Sequence, residues 1–521
     1  MPPHVIVGID TGGTNVDGVL LDEEVIATAQ VPGDVPAPVE QVLDRLLDDG
    51  TEVERVVVVT TLVLNAAVQG RLPGCTNVLV PGPGLHPRRA FHGEQNHVAE
   101  GCIDPRGRVT EPVAYDGSPD EDVVAVTAKF GPRNPEPEED LTAVLDYPPE
   151  RVSIGSASGP GLTFPERAAT TVANAKARPT FAAFERDISA ALDAAGVDAP
   201  VYFLKGDGAL LSAAAMRSTP AHALHGGPAA SALGLVALSG IEDAVCVDIG
   251  GTTTDVIRVS GGFPTLDTVG AGPLDTGYEG VEAETLPVGG DSRVLTDGLA
   301  DRREGNAAAF GGDAPTLTDA LHVAESVDSS LGDDDAARAA FQRFDDPQAV
   351  ASEVVASFVD RVAEAVDSLA SGPTRLVAGG VLARYLADRV AGAAGQAETA
   401  VVPDHAAVAG AVGCAVARVS VETQIRIDSA QGTVTVSSVG TRTSEVEQGR
   451  TFDDEEIDRL AVDHARGAAR EAGATAAETL PVEVLHSRRF NVVEDAEVAG
   501  QIVDATAQVT PGLRDRFGGD A

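Results

Sequence analysis

Two segments 238 residues apart carry the same pattern, and this repeat constrains the chain more than any other feature. When GIDTGGTNVDGVLL (8–21) is laid over VDIGGTTTDVIRV (247–259), Asp10 meets Asp248 and Asp17 meets Asp255. Between them Gly12, Gly13 and Thr14 meet Gly250, Gly251 and Thr252. Each copy follows an apolar, β-branched run, so each reads as strand, glycine turn, strand. A period this long is not a solenoid repeat; it fits a duplicated domain with a ligand between the halves.

The residue types explain the spacing. A Gly-Gly turn lets backbone N–H groups approach an anion with no side chain in the way. A Thr hydroxyl adds a donor, and an Asp at the strand end can hold Mg²⁺ or its waters. Two facing hairpins would grip the β- and γ-phosphates of a nucleotide from both sides. A lone DxGGT is as well read as an ordinary β-turn; two matched copies are not. The candidates are Asp10 and Asp248 for Mg²⁺, and Gly12, Gly13, Thr14, Gly250, Gly251, Thr252 and Thr253 for phosphate. Asp17 and Asp255 either align a water or acceptor, or hold the hairpin by a strand-end hydrogen bond.

Along the rest of the chain, strands are expected at 55–61, 125–130, 201–204 and 374–380. Helices are expected at 40–50, 181–196, 349–370, 381–392 and 406–420. Residues 81–120 and 261–315 read as loop or irregular insertion. From about 421 the composition shifts to a small α+β module. The length of 521 residues suggests about three domains: 1–180 with the first glycine turn, 181–420 with the second, and 421–521. Lys205 and Asp207, in a KGDG turn after a strand, are candidates for a substrate or phosphate, or belong to a solvated loop. Arg133, in RNPE, could fork onto a carboxylate or phosphate, or simply pair with neighbouring acid. His86, His92, His97, Cys102 and Glu94 crowd one segment at spacings that fit no standard zinc motif.

Charge narrows the partners. There are 37 Lys+Arg against 80 Asp+Glu, a net charge of −43. Such a chain repels phosphate backbones, which argues against nucleic acid. No apolar run reaches a membrane span, the start MPPHVIVGID lacks the basic region of a secretory signal, and the four cysteines form no CxxC pair. A reducing cytoplasm is the expected home. Only Lys129, Lys176 and Lys205 are lysines, and the acid is spread along the whole chain, as in a surface adapted to high salt.

The two hairpins resemble the phosphate loops of the actin-like ATPase fold of sugar kinases, Hsp70 chaperones and actin. LVAGGV (376–381) resembles its third, adenosine-contacting turn, here Gly379 and Gly380. More narrowly, residues 1–420 resemble the hydantoinase/oxoprolinase family, the group of hydantoinase A, 5-oxoprolinase and acetone carboxylase. The motifs are GIDTGGTNVDGVLLD, TTLVLNAAVQGR (60–71), AKFGPRNPEPE (128–138), RAATTVANAKARP (167–179), YFLKGDGAL (202–210), GGPAASALG (226–234), DIGGTTTDV (248–256) and APTLTDALHV (314–323). The chain departs from that pattern at Val16, Gly226 and Pro137, and GGDS (289–292) stands where long members have GGGS. The resemblance implies an α/β fold of duplicated actin-like ATPase (ribonuclease H-like) lobes with the ATP cleft between them. It implies ATP and Mg²⁺ as cofactors and ATP-driven opening of a small cyclic amide of the hydantoin or 5-oxoproline type. It also implies a hydantoinase B-type partner subunit and allows a homo-oligomer. A carboxylase subunit, a small-molecule kinase and an ATP-binding reactivating or assembly factor are the competing readings.

The charge makes a prediction independent of the site. The Debye length grows from about 3 Å at 1 M salt to about 30 Å at 0.01 M, so self-repulsion is felt most when salt is scarce. The melting temperature should fall as salt is removed. A flat or rising profile across a salt series would sink the halophilic reading.

Overall fold

Val5–Thr11 (β1) is buried from Val5 to Ile9 and turns polar only at its C-terminal end, where Asp10 stands. It pairs antiparallel with Asn15–Leu21 (β2), which pairs antiparallel with Val25–Pro32 (β3). Helix Ala37–Leu46 (α1) covers β2 and β3 with Val39, Val42 and Leu43 buried. Val53–Thr60 (β4) returns parallel to β1. Its four valines, 56–59, are all buried, as a strand covered on both faces requires. Val201–Leu204 (β5) and Leu210–Ser212 (β6) complete a sheet ordered β6-β5-β4-β1-β2-β3. The computed structural model describes residues 5–514 apart from 34, 49, 86–90, 92–94, 160, 272–273, 296–297 and 326.

The chain between β4 and β5 builds a four-stranded sheet, in the order Val152–Ile154, Val123–Ala128, Cys75–Val80, Gln95–Val98. The segment 81–120, expected as loop, thus supplies Gln95–Val98 and a hairpin of Glu100–Ile103 with Val109–Ala114. A 31-residue helix, Phe164–Ala194 (α2), leads back to the first sheet. It begins well before the expected residue 181, at a capping box of Thr163 and Glu166. Pro179 lies inside it and reads in isolation as a helix stop. Burial of Val172 and Ala173 on one side of it, and of Phe181, Phe184 and Ile188 on the other, outweighs the lost hydrogen bond. The expected division at 180/181 therefore falls inside a continuous helix, and β5 and β6 belong to the first sheet.

The second half repeats the first. Ala244–Ile249 (β7) pairs antiparallel with Thr254–Ser260 (β8), as β1 does with β2. Ala283–Leu286 (β9) also pairs with β8. Thr374–Gly379 (β10) runs parallel to β7, and Ala397–Val401 (β11) runs parallel to β10. Residues 261–315, expected to be irregular, instead hold two short hairpins: Leu266–Ala271 with Leu274–Val281, and Ser292–Leu295 with Gly298–Arg303. Beyond the second sheet, Glu422–Asp428 (β12), Thr433–Ser438 (β13), Gly440–Glu445 (β14), Val482–Glu494 (β15) and Glu497–Val509 (β16) form a sheet ordered β14-β13-β12-β16-β15. This α+β module carries the helix Asp454–Glu471 and is tied to residue 106 by a bidentate Arg106–Asp428 pair at 2.7 Å. Among the described residues no helix is long and apolar enough to cross a membrane.

Two helices join the lobes. Gly226–Ser239 (α3) follows the first sheet, and Ala409–Val416 (α4) follows the second. The second is shorter than the expected 406–420, because residues 406–408 form a 3₁₀ turn before it. Their contact is reciprocal: a Cβ at Gly234 would overlap the carbonyl of Ala409, and a Cβ at Gly413 would overlap the carbonyl of Ala230. Both helices thus present an Ala-xxx-Gly ridge to each other at backbone contact. Gly234→Ala or Gly413→Ala should cost about 1–3 kcal/mol by overpacking. Gly392→Ala, on an exposed helical position where a Cβ would meet nothing within 4 Å, should cost nothing and gain up to about 1 kcal/mol. Denaturant midpoints of the three variants check the contrast.

Candidate functional site

The two glycine turns meet at the junction of the lobes. Thr14 Oγ1 lies 3.2 Å from Thr252 Oγ1, so the hydroxyls matched in the repeat touch in space. A Cβ on Gly251 would stand 3.1 Å from Thr14 Oγ1, and one on Gly13 would stand 3.7 Å from Thr252 Oγ1. Any side chain on these glycines would occupy the gap between the loops. Gly250 N–H donates to the Thr253 carbonyl at 3.0 Å and closes its turn.

The four repeated carboxylates stand beneath the turns. Asp10 faces Asp17 across one hairpin, and Asp248 faces Asp255 across the other. Each lobe's helix reaches the other lobe's acid: Ser231 on α3 donates to Asp248 Oδ2, and Gly410 on α4 lies so close to Asp10 that a Cβ would overlap its carboxylate. Gln30 Nε2 donates to Asp17 Oδ1 at 3.0 Å, and Thr285 Oγ1 donates to Asp255 Oδ1 at 2.5 Å. Burial, followed by the charges of Asp17, Asp248 and Asp255, pushes the Asp10 carboxyl well above the usual range. Burial raises Asp248 too, against the Ser231 hydrogen bond. Asp17 and Asp255 are both pushed up to about 7, chiefly by burial and in part by Asp248. Asp10, Asp17 and Asp255 are each raised in part by neighbouring acids, so negative charge is concentrated beneath the turns. Carboxylate oxygens alone are the donor set of a hard ion such as Mg²⁺. Among the described residues no group of three or more His, Cys, Asp and Glu is placed to hold a metal ion by itself; a divalent ion held by one or two carboxylates and phosphate oxygens needs none.

The third glycine pair stands at the end of β10 beside β7. Asp248 is in register with Gly379. Gly380 has φ +84°, and a Cβ there would overlap the carbonyl of Ile249. Glycine is therefore required by chain packing at this point, whatever else it touches.

Sequence reading underweighted the GGDS segment. Gly290 N–H donates to the Gly250 carbonyl at 2.9 Å, and Asp291 N–H donates to the Gly251 carbonyl at 2.7 Å, so the segment straps the second turn. Asp291 Oδ2 would be 3.3 Å from a Cβ on Gly251 and accepts from Arg303 Nε at 3.0 Å. A cation is thereby held one carboxylate away from the turns. The only sign of this in the sequence was the Asp that replaces a glycine.

Lys205 and Asp207 form an ion pair at 2.6 Å at the carboxyl end of β5, with Lys205 buried. They line a cavity of about 290 Å³ together with His222, Tyr278, Glu279 and Glu422. The His222 and Tyr278 rings stack at 3.6 Å, and Asn174 Nδ2 donates to Tyr278 Oη at 2.8 Å. Burial and Lys205 hold His222 well below the usual histidine range, so it is neutral. None of the last four residues carries a motif; they come from segments far apart in sequence. Arg133 is elsewhere: its guanidinium donates to the Pro105 carbonyl and lies 5.2 Å from the Phe130 ring, while its own carbonyl accepts from Thr435 in the C-terminal module. His86, His92 and Glu94 lie outside the described residues. His97 Nδ1 is engaged by Tyr115 Oη at 2.6 Å.

The chain matches the hydantoinase/oxoprolinase family over residues 167–423 and that family's N-terminal region over residues 6–99, and it belongs to this family. The alpha subunit of caprolactamase from Pseudomonas jessenii is 28% identical over 213 residues, 38% of this chain. That match spans 31% of the relative's own length. The nucleotide-free structure of acetone carboxylase superposes with a TM-score of 0.70 at 15% identity, over 98% of this chain and 88% of that one. The ATP-dependent caprolactamase of Pseudomonas jessenii superposes with a TM-score of 0.68 at 18% identity, again over 98% and 88%. The fold is the duplicated actin-like ATPase architecture that the resemblance of the two hairpins implies.

Asp17 supplies a test with a definite sign. Its folded-state value of about 7 lies above the ordinary 3.8. Ionising it in the folded protein therefore costs stability that is fully present below pH 4 and lost as pH rises through 7. Without metal, Asp17→Asn should melt above the parent protein at pH 8, and the gap should close near pH 4. A gap that widens on acidification would contradict the buried-acid account.

Proposed function

We propose that this member of the hydantoinase/oxoprolinase family is an ATP-dependent hydrolase that opens a small cyclic amide. The observation that carries the reading is the meeting of the matched turns, Thr14 against Thr252 at 3.2 Å, above acids from both lobes. Bound Mg·ATP would supply a phosphoryl group to the amide oxygen; water then adds to the activated carbonyl carbon, the ring C–N bond breaks with the nitrogen taking a proton, and hydrolysis of the resulting acyl phosphate releases phosphate and the ring-opened acid. The amides of Gly12, Gly13, Gly250 and Gly251 and the hydroxyls of Thr14, Thr252 and Thr253 would bind the phosphate oxygens. Asp10 and Asp248 would hold Mg²⁺, and Gly379 and Gly380 would take the adenosine. Asp17 and Asp255, both near 7, suit acceptance of a proton from an attacking water at neutral pH.

The ring sits in the cavity beside Lys205 and Asp207. That cavity opens at the carboxyl end of β5, two strands along the sheet from β1 and Asp10. At roughly 4.8 Å per strand, the two points lie about 10 Å apart across the sheet. Ligands of open α/β sheets bind outside the carboxyl ends of the strands, as both sites do here. Arg133 takes no part, since its contacts are with residue 105 and the C-terminal module. The matched caprolactamase chain is called a subunit, which supports a working complex with a B-type partner.

The test is ATP hydrolysis by the purified chain, alone and with a B-type subunit, in the presence of hydantoin, 5-oxoproline and caprolactam. Ring-dependent turnover with release of the opened acid supports the reading. Turnover that needs bicarbonate and yields a carboxylated product transfers it to a carboxylase. Nucleotide-gated partner binding without stimulated turnover transfers it to a reactivating factor. Asp248→Ala should lower kcat by roughly 10³-fold, because a metal's charge stabilisation is worth several kcal/mol, while the melting temperature holds. Full ATPase activity in that variant would show that the phosphate site lies elsewhere.

A further inference from the structure

The cavity next to Lys205 has a charge that divides the candidate substrates. Its charged lining residues, among the described ones, are Lys205, Asp207, Glu279 and Glu422. The single ammonium is already paired with Asp207 at 2.6 Å. Glu279 and Glu422 approach from two other parts of the chain, the hairpin strand Leu274–Val281 and β12. Like charge between them raises Glu422, after burial and against the pull of Lys205. His222 brings no positive charge, since burial and Lys205 keep it neutral. Its ring nitrogens make no protein hydrogen bond among the described residues, and its face is stacked on Tyr278. The cavity therefore offers a flat aromatic wall, one neutral imidazole and an excess of carboxylate. At about 290 Å³ it lies at the small end of ligand sites.

Resting on the reading above, we infer that this site takes cyclic amides without a carboxylate, and favours those bearing an ammonium group. The ring lies against the His222–Tyr278 stack, with its amide edge within reach of the imidazole. A substituent ammonium pairs with Glu279 and Glu422, which otherwise repel each other. A carboxylate such as that of 5-oxoproline meets the same two acids and finds Lys205 already satisfied. Displacing Asp207 from Lys205 would leave a second uncompensated charge in a half-buried place, which is expensive.

Matched rings isolate charge from size. 2-Pyrrolidinone, 5-oxoproline and 5-(aminomethyl)-2-pyrrolidinone share one ring and differ in charge; hydantoin, hydantoin-5-acetic acid and 5-(aminomethyl)hydantoin form a second set. Binding by calorimetry and stimulation of ATPase are measured for each with the complete protein and its B-type subunit. The ammonium member of each set should bind about tenfold or more tightly than the carboxylate member, an effect of the size expected for unit charges a few ångströms apart near a protein surface. The gap should narrow in Glu279→Gln and Glu422→Gln, and it should shrink with added salt. Equal or tighter binding of the carboxylate members, with ATPase still stimulated, overturns this inference and leaves the hydrolase reading standing. Failure of every ring to stimulate ATPase overturns the hydrolase reading and this inference with it. A gap unchanged in both Gln variants shows that the two acids do not set the selectivity.

Discussion

The reciprocal contact of two glycine ridges holds the rest of the structure in place. Gly234 lies on the Ala409 carbonyl and Gly413 lies on the Ala230 carbonyl, so the two crossing helices touch at backbone distance. That closeness lets each helix reach past its own sheet. Ser231 on one reaches Asp248 of the second lobe, and Gly410 on the other lies against Asp10 of the first. Bulkier residues would push the lobes apart, and Thr14 and Thr252 could no longer meet. A pair of packing glycines thus sets the distance between two matched glycine turns far from them in sequence.

Charge works on two scales here. Across the surface, an excess of 43 negative charges is diffuse and screened by salt. At the junction, four acids are gathered in a half-buried place where screening is weaker. Burial, and for three of them the neighbouring acids, push their carboxyls above the ordinary range. The strap of residues 289–292 brings Arg303 to the same place through Asp291. This gives an acidic protein a fixed positive group beside the second glycine turn.

The repeat was legible because its residues act locally. An Asp at a strand end, a Gly-Gly turn and a Thr donor need only their own hairpin to be arranged, and the pairing of Asp10 with Asp17 and Asp248 with Asp255 follows from the turn length alone. The long helix was half legible. Pro179 is a stop signal to any local reading, and only contacts with two sheets explain why the helix runs through it. The short hairpins of residues 261–315 were missed because small and polar residues dominate them and their partners lie on neighbouring elements. Lys205 and Asp207 were visible as a charged turn, but His222, Tyr278, Glu279 and Glu422 were not. No spacing connects residues 205, 222, 278 and 422, and a lone His or Tyr in a sequence is most often ordinary packing.

By itself, then, the sequence determined the duplicated α/β lobes, the two matched glycine turns, their acids and the family. Each of these rests on chemistry written within about a dozen consecutive residues. The tertiary structure alone decided that the two turns touch, that four half-buried acids gather beneath them, that the boundary expected at 180 is the middle of a helix, and that a cavity with excess carboxylate stands beside Lys205. Those properties depend on distances between segments hundreds of residues apart, and such distances are set by how helices and sheets pack against one another, which no local pattern encodes.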